Sequence, residues 1–212
     1  RRDTSMSNKI SRRTFLKCTG ASAAALGAAA MLGGCGTSTS DAIEVKVGDK
    51  VSNWNNLGVQ LTSVFTMSTT PDLPDHEYVA VLITAVNRSG ATTFNIGAQN
   101  LADLDAQFPL DDEATKIDTA RQYFHALATS TTDFTATCDG ADAEVGAYIQ
   151  LYNADTQSFS ESTNLPPQGS GYIELICCVP TGWQTLNVTF VPTFVANKSL
   201  TFALSSADVA QA

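Results

Sequence analysis

The sequence predicts an all-β domain, a β-sandwich with one long insertion, preceded by a leader segment. Three observations carry this reading. Beyond residue 42, apolar residues recur with a period of two and not 3.6. Turns built from Gly, Pro, Asn and Asp punctuate those runs, and seven or more short strands at such spacing argue for a sandwich. The apolar fraction of 43% with 16% charged residues suits a chain that buries a core and lacks the bias of a disordered one.

The leader comes first. Residues 1–5 precede Met6 and receive no structural reading. Lys9, Arg12, Arg13 and Lys17 form a basic n-region, and the uncharged Ala/Gly-rich stretch from Cys18 to Gly34 follows it, the pattern of an export signal. Ser11-Arg12-Arg13-Thr14-Phe15-Leu16-Lys17 resembles the bacterial twin-arginine consensus, and the weakly apolar stretch behind it suits that route. A membrane-spanning helix is the alternative, but spanning takes about 20 predominantly apolar residues. Residues 1–34 are therefore expected to be a signal peptide.

Leu32-Gly33-Gly34-Cys35 resembles the lipobox, which implies acylation of the Cys35 thiol (diacylglycerol, then palmitate-class chains) and cleavage just before it. The competing reading is an ordinary signal cut elsewhere. One acyl chain anchors weakly, whereas two or three hold a protein in the membrane. Residues 35–42 read as a small polar tether. At about 3.3–3.6 Å per residue, the path from Cys35 to Ile43 spans at most roughly 25–30 Å. A domain over residues 43–212 would thus sit close to the extracytoplasmic membrane face.

Charge divides sharply between the two parts. Residues 1–34 hold six of the 12 Lys/Arg and one of the 21 Asp/Glu, so the remainder keeps six against 20, a net charge near −14. Nucleic acid is excluded as a natural partner, because its affinity comes from Lys and Arg neutralising phosphates. Anionic lipid head groups should repel the domain as well.

Along the domain, Ile43-Glu44-Val45-Lys46-Val47 alternates and Gly48-Asp49 turns it. Val59, Leu61, Ser63 and Phe65 alternate with Gln60, Thr62 and Val64, and a Pro/Asp-rich loop over residues 69–75 ends the run. Residues 78–86 are apolar on both faces, as expected of a central strand covered on each side. A turn at Asn87-Arg88-Ser89-Gly90 and a short run at 93–96 follow. Residues 172–179, 186–191 and 200–204 read as the closing strands.

The sequence Val47-Gly48-Asp49, then Gly58 to Val64, then the apolar run from Tyr78 closing on Asn87, then Leu165-Pro166-Pro167-Gln168-Gly169 before a strand ending in Val179-Pro180, resembles the DUF4352 (telokin-like, immunoglobulin-like) domains of bacterial lipoproteins. The resemblance implies an immunoglobulin-like sandwich and names no ligand. The chain departs from that pattern over about 98–162, read as an insertion. It holds Asp103, Asp105, Asp111, Asp112 and Glu113, a helical stretch at 119–127, a Thr/Ser-rich loop at 129–137 and a strand at 145–152. Long insertions on a rigid sandwich are where binding function tends to lie.

No catalytic, cofactor or metal motif stands out. His76 and His125 are isolated, zinc takes three or four suitably spaced ligands, and no Gly-x-Ser-x-Gly elbow occurs. The acidic group at 103–113 offers oxygens of the kind calcium takes, but the EF-hand spacing is not met, and a solvated face is the simpler reading. After Cys18 leaves and Cys35 is acylated, Cys138, Cys177 and Cys178 remain. Neighbours on a strand face opposite ways, which puts Cys177 in the core and Cys178 outside. The candidate disulfide is Cys138–Cys178, with three free thiols as the competing arrangement.

The functional expectation is a lipid-anchored, extracytoplasmic, non-enzymatic binding or protein-interaction domain. It has no cofactor, its membrane partner is reached through lipid on Cys35, and its further ligand is a protein or small molecule. Tyr123, Phe124, Tyr148 and Tyr152 are expected to be exposed for binding. An exported enzyme, or an accessory subunit of one, is the alternative.

Overall fold

The computed structural model describes residues 37–38, 41–67, 70–108, 122–127 and 131–210. Arg12, Arg13 and Cys35 lie outside the described residues. The chain forms a β-sandwich whose two layers share one hydrogen-bonded path of strands. Sheet A comprises β1 (Thr37–Ser38), β3 (Lys50–Trp54), β4 (Leu57–Thr66), β5 (His76–Asn87), β11 (Ser170–Pro180), β8 (Ala141–Asn153) and β9 (Ser158–Ser162). Sheet B comprises β7 (Phe134–Cys138), β12 (Thr185–Phe190), β13 (Ser199–Ser205) and β2 (Ala42–Lys46). A two-stranded ribbon of β6 (Phe94–Asn95) and β10 (Asn164–Leu165) lies apart from them.

β8 joins the layers. Its first residues, Ala141 to Ala143, pair with β7, and Glu144 to Leu151 pair with β11. The Asp139-Gly140 corner that feeds it has φ of 49° and 83°, the left-handed pair that a two-residue hairpin turn demands. Asp139 holds the corner by accepting from the backbone N–H groups of Gln184 and Thr185 at 2.7–3.1 Å, which keeps its carboxyl below the usual range.

The segment 98–162, read as an insertion, contributes strands to both sheets. It supplies β7, where the sequence suggested a polar loop, and β8, which lies between β11 and β9 within sheet A and also pairs with β7. Among its described residues, the helices α1 (Leu101–Gln107) and α2 (residues 122–127) stand off the sheets. The tether also departs from expectation, since Thr37–Ser38 pairs in parallel with Asn53 and Trp54 at the edge of sheet A.

β4 shows how local geometry redirects side chains. The sequence puts Ser63 and Phe65 on the face of Val59 and Leu61, with Val64 opposite. A bulge between Leu61 and Ser63 shifts the register. One extra residue inverts the alternation, so Val64 joins Val59 and Leu61 in the inter-sheet core and Phe65 points to the outer face.

The two motifs of the family resemblance, far apart in sequence, meet in space. Asn87, fully buried, donates from Nδ2 to the carbonyls of Thr92 and Leu165 at 2.7 and 2.9 Å, and its Oδ1 accepts from Ser89 N–H. Gln168 returns the contact, donating to the carbonyls of Arg88 and Ser89 at 3.0 and 2.9 Å. These residues lock one end of the sandwich. They satisfy loop backbone groups at that end, among them the buried Leu165 carbonyl.

Candidate functional site

The outer face of sheet A distinguishes this sandwich. Alternation on β5 sends Val79, Val81, Ile83 and Ala85 between the sheets, while Tyr78 and Ala80 face outward. On β11 the inward set is Ile173, Leu175, Cys177 and Val179, and the outward set includes Ile176 and Cys178. The outward apolar residues need cover to leave water. α1 and α2 provide it with Leu104, Tyr123, Phe124 and Leu127, which close a second core over Phe65, Met67, Tyr78, Tyr148, Ile176 and Cys178.

That second core overturns the expectation of exposed aromatics. Tyr123, Phe124 and Tyr148 are at most 3% exposed. Phe124 packs on Tyr78 with ring centroids 5.3 Å apart and meets Tyr123 edge-on at 5.7 Å. Three of the four aromatics hold the helices to the sheet, and Tyr152 alone is partly open.

The cysteines are likewise rearranged. Cys138 and Cys177 lie in the inter-sheet core, whereas Cys178 lies under α2 on the opposite face of sheet A. Cys138 and Cys178, the two cysteines expected to bond, lie on opposite sides of the sheet, and all three cysteines are free thiols. The face assignments of Cys177 and Cys178 agree with the strand alternation, but Cys178 is covered and not exposed. Burial pushes the Cys178 thiol up to about 11, with the Glu144 charge adding to it, and pushes Cys177 higher still. Titration of the lipidated chain with a thiol reagent should find almost no fast-reacting groups in the native state. It should find three on unfolding, with or without reductant; two fewer without reductant would mean that a bridge forms.

Beside the second core lies a cleft of about 410 Å³ between α2 and the loop before β5. Tyr78, Leu73 and Cys178 line it together with Asp72, Glu144 and His125. His125 Nδ1 stands 3.6 Å from a Glu144 carboxylate oxygen. A protonated Cys178 thiol offers an apolar wall and a weak donor in place of a nucleophile. His76, the other histidine, sits at the start of β5 with Nδ1 on the carbonyl of Pro74 at 2.8 Å. Asp103 and Asp105 ride on α1. Asp111, Asp112 and Glu113 lie outside the described residues.

The next rows of the same face are polar and aromatic. Tyr148 and Glu174 are cross-strand partners, and the Tyr148 hydroxyl donates to Glu174 Oε2. Glu174 Oε1 is buried with no hydrogen-bond partner. Burial raises the carboxyl to about 7, against the lowering effect of the Tyr148 bond. The same burial, with the Glu174 charge, raises Tyr148 well above the phenol range. Beyond them Tyr152, Phe159 and Tyr172 form an open aromatic strip across β8, β9 and β11, with centroids 5.2 and 5.3 Å apart.

This face was only partly legible in advance. The outward residues of β11 follow from its alternation, but nothing local marked Phe159, on a strand whose other residues are Ser and Glu.

Known proteins add little to the geometry. No family model matches the chain, and no curated protein matches it. Among solved structures, an uncharacterised β-sandwich protein from Clostridium difficile 630 is similar, at 9% identity and a TM-score of 0.43, over 81% of this chain and 99% of that one.

Proposed function

We propose that this chain is a lipid-anchored, extracytoplasmic binding or interaction module. Arg12 and Arg13 direct its export, Cys35 carries the lipid, and the outer face of sheet A presents the ligand surface. One observation carries the binding assignment: among the described residues the helices cover one end of that face, and the cleft and the aromatic strip lie open beside the buried Glu174 Oε1. The resemblance to DUF4352 lipoprotein domains supports the same scaffold reading. β1 starts two residues after Cys35, a reach of at most about 7 Å, so the β1–β3 edge of sheet A would lie against the bilayer.

Fractionation of cells tests the anchor. The wild-type chain is expected in the membrane fraction, resistant to high salt and released by detergent, while Cys35→Ser is expected in the soluble fraction. Retention of Cys35→Ser in the membrane would overturn the anchor.

A further inference from the structure

We infer that the strip of Tyr152, Phe159 and Tyr172, with Glu161 and Glu174 beside it, binds the ammonium group of a small, free organic cation. The inference rests on the binding-module reading and adds the chemical class of ligand.

Phe159 touches both tyrosines, with interplanar angles of 45° to Tyr152 and 37° to Tyr172. The rings are thus inclined to one another along an open strip, and exposed ring faces attract a cation through their quadrupoles. Phe159 is 37% exposed, and both tyrosines are partly open.

Glu161 lies two residues from Phe159 on β9, on the same face, and opposite Gln150 of β8. Glu174 lies two residues from Tyr172 on β11, and its buried Oε1 has no partner. Two carboxylates thus flank the rings. Among the described residues, the strands that carry the strip and their neighbours, β4, β5, β8, β9 and β11, contain neither Lys nor Arg. A ligand ammonium group would set its charge beside Glu161, with Glu174 adding to the field from beneath, while its alkyl substituents cover the rings.

The test uses the full chain in non-ionic detergent, with choline and tetramethylammonium as probes and saturation-transfer NMR of their methyl protons as the readout. Both cations are expected to bind, and 3,3-dimethylbutan-1-ol, the neutral isostere of choline, is expected to bind at least tenfold more weakly. Phe159→Ala and Glu161→Gln sit at an exposed edge and should fold; each is expected to weaken choline at least tenfold. Equal binding of the isostere, unchanged affinity in both variants, or binding of a neutral oligosaccharide with no response to choline would overturn the inference. Binding of Cys35→Ser to phosphatidylcholine vesicles without binding of free choline would overturn the free-ligand assignment. Membrane retention through Cys35 is independent of all these results, so the anchor and the ligand class fail separately.

Discussion

Glu174→Gln is expected to stabilise the protein by up to about 3 kcal/mol at pH 8 and to change little at pH 4.5. The carboxyl is raised from 4.5 to about 7 in the folded chain, because burial disfavours its charged form. Between those values the unfolded chain releases the proton while the folded chain keeps it, so stability falls as pH rises. Above about 7 the folded chain carries a buried charge, and the full penalty is present. Below 4.5 both states are protonated and the penalty is gone. Glutamine keeps an oxygen for the Tyr148 hydroxyl and removes the titration. Urea denaturation of both chains at several pH values between 4.5 and 8 measures the difference. A gain independent of pH would show that Glu174 is not buried as described.

Gly171→Ala is expected to cost about 3 kcal/mol or more, near the upper end for overpacking a fixed site. A methyl group there would lie 2.2 Å from the Gln150 carbonyl oxygen and 3.0 Å from Leu151 Cα. Both atoms are backbone, and neither can move cheaply. Leu151 pairs with Gly171 on one side and with Ser160 on the other, so β8 is held between β11 and β9 at this point. Relief would mean parting β8 from β11, which carries Tyr148, Glu174 and the aromatic strip with it. Gly90→Ala is the control, since nothing lies within 4 Å of its methyl position. Midpoints of urea unfolding compare the two, and equal midpoints would mean that the close approach is relaxed in solution.

The clearest agreement between sequence and structure lies in the strands with clean alternation. Residues 172–179 assign Cys177 and Cys178 to opposite faces, and the structure keeps them there. The both-sided apolar run of β5 called for cover on each side, and it has two separate cores. β7 and its hairpin were missed although Asp139-Gly140 is a strong turn signal, because the Thr/Ser content before it resembles a loop. β3 was missed too, its turn at Asn55 and Asn56 marked only by the positive φ of both residues.

The sequence by itself determined that the domain is all-β, that its charge is acidic and which way most strand residues face, because these depend on composition and on a period of two. Only the tertiary structure decided what covers each face. The bulge at Thr62 inverts β4 through its pairing with β5. The helices hide Tyr123, Phe124 and Tyr148 because the outward face of sheet A is apolar at one end. Cys138 and Cys178 fall on opposite sides of that sheet. Each outcome comes from contacts between residues distant in the chain, and periodicity within a single segment does not encode them.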